Sequence, residues 1–484
     1  MLDDLLQIDQ TRIFVNGAWI AASGGLISVH DPSSGKIIGQ IGRGTTADVD
    51  AAVDAANRAL DSDWARMTAT QRGRILMRMA DLVQARAEDL AMIETLDVGK
   101  PLNQSRRDSV ALARYLEFYA GAADKLMGKT IPYQDGFTAF TLREPHGVCG
   151  IIIPWNYPMQ ILGRAAAAAL ATGNAVVLKP AEDASLSSLV FAAIAAEAGL
   201  PPGVLNVVTG LGSEVGAALA EHPRVHHLSF TGSVATGARI QAAAARNVIP
   251  VTLELGGKSP HIVFDDADLD QAMPVLVATC MQNAGQTCSA ASRVLVQKDV
   301  YDTVKRRMVE IYRQLVVGRA TDSHDLGPLV SPRQQRIVLD FIERGMRDLT
   351  LAAQGRMHPD AAPGGNYVLP TLFSEVPPDH PLAQQEIFGP VQVLIPFEDE
   401  AEALRIANGT DYGLVAGVWT TDGARQLRMA RKLRCGQVFV NNYGAGGGIE
   451  LPFGGVARSG HGREKGFEAL YGFTQVKTVT LFHG

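Results

Sequence analysis

The sequence predicts an α/β protein built on two doubly wound, largely parallel sheets, and three observations predict it. Between residues 146 and 254 short apolar runs alternate with helical segments. Those runs are apolar at consecutive positions rather than at every second one, and the same style resumes after Glu254 and lasts to about residue 457. Strands that alternate with helices pair in parallel and are covered on both faces, so their side chains are apolar throughout. At 484 residues the chain also exceeds one hydrophobic core, and at about 150 residues per domain it suggests two or three units.

The elements follow in order. Residues 12–22 predict a hairpin turning at Asn16-Gly17. Residues 46–126 read as helices, with alanine, leucine and methionine at three-to-four spacing among arginines and acids, and carry no evident chemistry. Then come a strand at 148–153, a helix at 165–171, a strand at 175–178 and a helix at 185–198 that Gly199 can stop. A strand at 204–208, a helix at 213–221, a strand at 226–230, a helix at 234–245 and a strand at 249–254 complete this half. Beyond it, 265–270 reads as an acidic loop and 295–296, 391–395 and 438–440 as strands. Residues 352–365, with Pro359, Pro363, Gly364 and Gly365, read as a loop. The tail 474–482 alternates like an exposed strand, the kind that often pairs with another subunit.

Composition excludes several classes. With 46% hydrophobic and 19% charged residues the chain reads as soluble and globular. A formal charge of -6 leaves no basic footprint for nucleic acid. Four scattered cysteines (Cys149, Cys280, Cys288, Cys435) do not make a disulfide scaffold and point to the reducing cytoplasm. Residues 1–6 carry early acids and no basic n-region, so no secretory leader is expected. Two uncharged runs, 145–163 and 271–292, are broken by Pro154, Asn156 and Pro158 and by Pro274, Gln282 and Asn283, so no membrane span is expected. The eleven histidines lack metal-ligand spacing, and no catalytic metal is expected.

Chemistry concentrates in a few segments. Cys288, in Gly285-Gln286-Thr287-Cys288-Ser289-Ala290, and Glu254, in Leu253-Glu254-Leu255-Gly256-Gly257-Lys258, supply a nucleophile and a base able to form and hydrolyse a thioester. A lone cysteine is more often a small buried hydrophobe, the reading given to Cys149 and Cys280. Asn156, in Pro154-Trp155-Asn156-Tyr157-Pro158, follows a strand end and its amide can hold an oxyanion, though an Asn turn is the plainer reading. Lys179 and Glu182 can grip a ribose, with Glu182 disfavouring a 2′-phosphate; a surface ion pair is the alternative. Gly232, Ser233 and Gly237 open a helix where a pyrophosphate could approach, a weak signal by itself. No histidine partner for Cys288 is visible nearby, and Glu254 at an apolar strand end should have a raised pKa.

Together with Glu386-Ile387-Phe388-Gly389-Pro390, Pro452-Phe453-Gly454-Gly455 and Ser459-Gly460-His461-Gly462-Arg463-Glu464, these motifs stand in an order that resembles the aldehyde dehydrogenase superfamily over nearly the whole chain. The resemblance implies a Rossmann-like doubly wound cofactor domain (1–126 and 146–253), a second α/β catalytic domain (254–457) and a small β oligomerisation arm (127–145 and 458–484). It implies oxidation of a small-molecule aldehyde with NAD, NADP being less favoured, in a homodimer or homotetramer. Cys288 would be the nucleophile, with the oxyanion held by the Asn156 amide and the Cys288 N–H, and Glu254 would activate water. Trp155, Lys179, Glu182, Gly232, Ser233, Leu255, Glu386 and Phe388 would contact the cofactor, and Tyr157, Arg164, Thr287 and Phe453 the substrate.

Two departures stand out. Many members of that family have tryptophan and lysine where this chain reads Arg164-Ala165, which removes an aromatic wall and a possible proton-relay lysine. A wider pocket, a different proton exit and a lean toward bulky or aromatic substrates are the expected consequences. Arg458 stands where lysine is usual, a mild change. The glycine-rich stretch 441–450 is expected to shape the tunnel mouth or simply to turn. Two other readings compete: a CoA-acylating relative, which would not need Glu254, and a catalytically retired scaffold, which would not need the intact set of Cys288, Glu254, Asn156 and Lys179.

Overall fold

The computed structural model describes every residue except Met1, Ser323 and 445–447, so the centre of the glycine-rich stretch lies outside the described residues. The first half of the chain builds an eight-stranded sheet in the order Ala18–Ala21, Arg12–Val15, Leu205–Val207, Ala175–Lys179, Val148–Ile152, His227–Thr231, Val251–Glu254, Gly460–His461. Its five central strands are parallel and the edges antiparallel. The central strands are buried almost throughout, which is why they read as unbroken apolar runs. The chain enters at Val148–Ile152, winds out one way through 175–179 to 205–207, then returns to 227–231 on the other side. Strand order therefore reverses between Val148–Ile152 and His227–Thr231, the place where an open sheet leaves a crevice at its carboxyl edge.

A seven-stranded sheet follows, ordered Thr350–Gln354, Thr371–Ser374, Val391–Phe397, Arg293–Gln297, Pro260–Val263, Val415–Trp419, Gln437–Val440. It is parallel apart from its first pair. A three-stranded sheet joins Thr474–Phe482, Phe137–Pro145 and Thr130–Ile131. The tail strand thus pairs along its full length with this chain's own Phe137–Pro145. Among the described residues, no helix is long and apolar enough to cross a membrane.

Most predicted elements stand within a few residues, including the hairpin at Asn16-Gly17 and the helical region, which holds Thr46–Ala59, Ala69–Ala85, Ala87–Val98 and Leu102–Ala122. Four expectations need correction. The helix expected at 165–171 starts at Pro158, whose missing N–H costs nothing in a first turn. The segment at 213–221 opens as a wider π turn, Gly212–Gly216, before the α-helix Ala217–Glu221. The acidic loop ends early because Asp268 caps the helix Leu269–Met281, accepting from the Asp270 and Gln271 N–H groups. The loop expected over 352–365 is cut by the strands Thr350–Gln354 and Arg356–Met357, edge strands whose burial pattern is too irregular to read as alternation.

Candidate active site

The segments carrying Asn156 and Cys288 are stitched to each other. Asn156 Nδ2 donates to the Gln286 carbonyl at 2.9 Å, Asn283 Nδ2 donates to the Asn156 carbonyl at 2.9 Å, and the Tyr157 hydroxyl lies 2.9 Å from Thr287 Oγ1. The nucleophile turn needs this support because Asn283, Ala284 and Gly285 all have positive φ (46°, 53° and 78°). Gly285 has no substitute, since any side chain would run into the Gly389 carbonyl. One N–H of the Asn156 amide is spent on Gln286, which fixes the plane and leaves the second for a ligand.

Cys288 is partly exposed in a cleft of about 410 Å³ that Trp155, Asn156, Thr231, Gly232, Ser233, Glu254, Gly256, Glu386 and Phe388 also line. Burial pushes its thiol up to about 11; Arg164 and the Ser289 N–H pull the other way, Glu386 and Glu254 with burial. Glu254 is 2% exposed, and among the described residues neither carboxylate oxygen has a hydrogen-bond partner. Burial, and then Glu464, holds it well above the usual carboxylate range, opposed by Arg164, Arg463 and Lys465. A buried unpartnered carboxylate has its lone pairs free for water. A second cavity of about 440 Å³ lies across the nucleophile turn, lined by Tyr115, Tyr157, Gln160, Ser289, Tyr443 and Glu450 among others. Asn156 and Cys288 thus border one cavity, and their neighbours Tyr157 and Ser289 the other.

The cleft has the make-up of a dinucleotide cradle. Ser233 caps the thirteen-residue helix Val234–Arg246, accepting from Thr236 N at 3.3 Å, so a helix N-terminus opens beside Gly232. A Cβ at Gly232 would come 2.5 Å from the Phe230 ring, and one at Gly256 would collide with the Glu386 carboxylate. Glu386 accepts from the Gly257 N–H at 3.0 Å, and burial raises its carboxyl to about 7. Phe388 stands edge-on to Trp155, with centroids 5.3 Å apart. Outside that cleft, at the end of Ala175–Lys179, Lys179 Nζ donates to Glu182 at 2.8 Å and Gly212 N donates to its other oxygen at 3.2 Å. Burial alone would raise Glu182, but Lys179 holds it below the usual range. Both readings of this pair, ion pair and ribose grip, are compatible with that geometry.

Leu255 is not brought to the cleft lining: it is buried against Gly237 of the helix, with its N–H on the Ser459 carbonyl at 3.0 Å. Phe453 packs with Leu414 and Val415 beside Cys288. Arg164 overturns the expected widening. Its guanidinium is ion-paired with Glu464, lies 5.1 Å from the Phe453 ring centre and reaches Thr231 Oγ1 at 3.4 Å, so the position is filled. Sequence reasoning assigned no role to Glu464 or Lys465; the signal was three adjacent charges between two glycines, Gly462-Arg463-Glu464-Lys465-Gly466.

The sequence and the fold are similar to those of known proteins. A sequence profile of the aldehyde dehydrogenase family matches residues 19–479. The chain is 43% identical to human retinaldehyde dehydrogenase 3 over 483 residues, covering 98% of this chain and 94% of that protein. The crystal structure of a Burkholderia cenocepacia protein assigned as an aldehyde dehydrogenase superposes with a TM-score of 0.97 at 57% identity, covering 98% of this chain and 100% of that one. An NAD+ complex of the Bacillus cereus aldehyde dehydrogenase gives 0.96 at 40% identity, covering 100% and 98%. The chain belongs to the aldehyde dehydrogenase family.

Proposed function

We propose that the protein oxidises an aldehyde to its carboxylic acid through a covalent intermediate on Cys288, with NAD as cofactor. One observation carries this: among the described residues, a partly exposed thiol, an amide with a spare N–H and a buried carboxylate without a hydrogen-bond partner border the same cleft. The Cys288 thiol gives its proton to water as its sulfur bonds to the aldehyde carbon. The oxyanion so formed is held by the second Asn156 N–H and the Cys288 N–H, and loss of hydride from that carbon leaves a thioester. Bound NAD+ supplies the hydride acceptor. Trp155, Gly232, Ser233, Glu386 and Phe388 would hold its nicotinamide and pyrophosphate part, and Lys179 and Glu182 its adenine ribose. Glu254 takes a proton from water, the water oxygen bonds to the thioester carbon, and the C–S bond breaks. A water-activating base favours the hydrolytic reading over transfer of the acyl group to CoA.

Two further readings rest on the same family. The sheets support a division into a cofactor domain (1–126 and 146–253) and a catalytic domain (254–457), with Gly460–His461 crossing back to the first sheet. The β sheet of 130–131, 137–145 and 474–482 exposes Leu142, Val476, Leu481 and Phe482, which suits a homodimer or homotetramer in the cytoplasm.

The test is enzyme quenched mid-turnover with aldehyde and NAD+. NADH formation with an acyl mass increment on the Cys288 peptide is expected; NADH formation with that peptide unmodified at every time point would overturn the assignment.

A further inference from the structure

Beside the Phe453 ring lies a buried amine that the reaction above does not use. Lys465 is 2% exposed, and its nitrogen lies 5.4 Å from the Phe453 ring centre, which also carries the Arg164 guanidinium at 5.1 Å. The residue after Phe453 is the one against which Glu254 rests: a Cβ at Gly454 would come 2.7 Å from Glu254 Oε1. Phe453 bridges antiparallel to Glu464, so Lys465 leaves the chain beside that same wall. It does so at φ 61°, a left-handed conformation uncommon for a residue with a Cβ.

Among the described residues, the charged and titratable groups that act on Lys465 include Arg164 from the helix Pro158–Ala171, Cys288 from the nucleophile turn, Glu254 from its strand end, and the adjacent Glu464. Arg164 is paired with Glu464 and keeps its proton at neutral pH, whereas a lysine amine can exchange. Burial, helped by the charge of Arg164, brings Lys465 down to about 7, so amine and ammonium coexist near neutrality.

We propose that Lys465 carries away the proton that Glu254 takes from water when the acid is released. The proposal rests on the thioester reading above. Water gives one proton to the Glu254 carboxylate while its oxygen bonds to the thioester carbon and the C–S bond breaks, the electron pair staying on sulfur. The neutral amine of Lys465 then takes the proton from the Glu254 carboxyl, restoring the carboxylate, and the ammonium passes it to solvent. The hydride has left earlier for NAD+, so this step needs no further oxidant or reductant.

The experiment compares Lys465→Met and Lys465→Arg with the wild type, following rapid NADH formation, steady-state turnover and the acyl adduct on Cys288. If no NADH forms with any aldehyde in the wild type, the thioester reading itself fails. With that reading intact, Lys465→Met should leave the first turnover within twofold, slow steady-state turnover at least tenfold and accumulate acyl-enzyme. Lys465→Arg should not restore turnover. An unchanged steady state in Lys465→Met, a slowed first turnover, or full activity in Lys465→Arg each overturns the proposal. Should Lys465→Met not fold, Lys465→Gln, which keeps the polarity and most of the length but has no titrating amine, decides: a deacylation rate at least tenfold below wild type supports it, an unchanged rate overturns it.

Discussion

The Asn156 side chain donates to the Gln286 carbonyl at 2.9 Å, tying the end of the first sheet to the turn that carries the nucleophile. Two segments 130 residues apart are thereby held as one unit, and Asn283 returns the bond to the Asn156 carbonyl. Geometry of this kind positions an oxyanion donor without relying on the substrate to assemble it.

Asn156→Ala removes both the donor and the tie. Loss of one oxyanion donor typically lowers kcat by about 10²–10³. The first turnover should slow by that order, because the oxyanion forms before the thioester does. A first-turnover rate within threefold of wild type in stopped-flow absorbance would show that another group holds the oxyanion.

Glu254→Gln keeps the shape and removes the base. NADH should form in a burst of about one equivalent and then stall, with steady-state turnover lower by roughly 10²–10⁴. In the wild type, burial keeps this carboxyl protonated to higher pH than usual, and a protonated carboxyl cannot take a proton from water. Hydrolysis should therefore rise as pH rises through that ionisation. A hydrolytic rate that falls over the same range would assign the base elsewhere.

Glu182→Gln leaves the hydrogen bond to Gly212 possible but removes the charge next to Lys179. The ratio of NADP to NAD use, as kcat/KM, should rise on the order of tenfold, about 1.4 kcal/mol. An unaltered ratio would mean the 2′ position is read by other residues.

Lys100 sits buried between Glu94 and Asp108, its nitrogen 4.0 Å from the Tyr157 ring centre. Despite burial, the two carboxylates hold its ammonium above the usual lysine range. Lys100→Met would strand two buried acids, and breaking such a group typically costs about 3–5 kcal/mol. A Tm fall of several degrees is expected in a thermal melt, and a Tm unchanged within one degree would contradict it. The buried triad of Lys100, Glu94 and Asp108 is a support for Tyr157, whose hydroxyl meets Thr287 beside the nucleophile.

Much of this was legible in one dimension because the periodicity was unambiguous. Apolar runs such as 148–152 and 175–178, alternating with helical segments, read as strands covered on both faces, and the proline-containing turns that follow them mark the carboxyl edge of a parallel sheet. Boundaries slipped where local chemistry outweighed periodicity, as at Pro158, Asp268 and the edge strand Thr350–Gln354. Arg164 was misjudged for a related reason: its partner Glu464 is 300 residues away, and a missing aromatic ring says nothing about what fills its place.

The order of the motifs around Asn156, Lys179, Glu254, Cys288 and Glu386 gave the sequence its resemblance to the aldehyde dehydrogenases, and that resemblance implied the reaction class; the residues by themselves supplied a nucleophile and a base. Only the tertiary structure decided which of them share a cleft, that Glu254 is buried without a hydrogen-bond partner among the described residues, and that Arg164 and Lys465 flank Phe453. The physical reason is that proton affinity and reach are set by burial and by neighbours distant in sequence. Neither is a property of a residue type, and neither is written in the order of the letters.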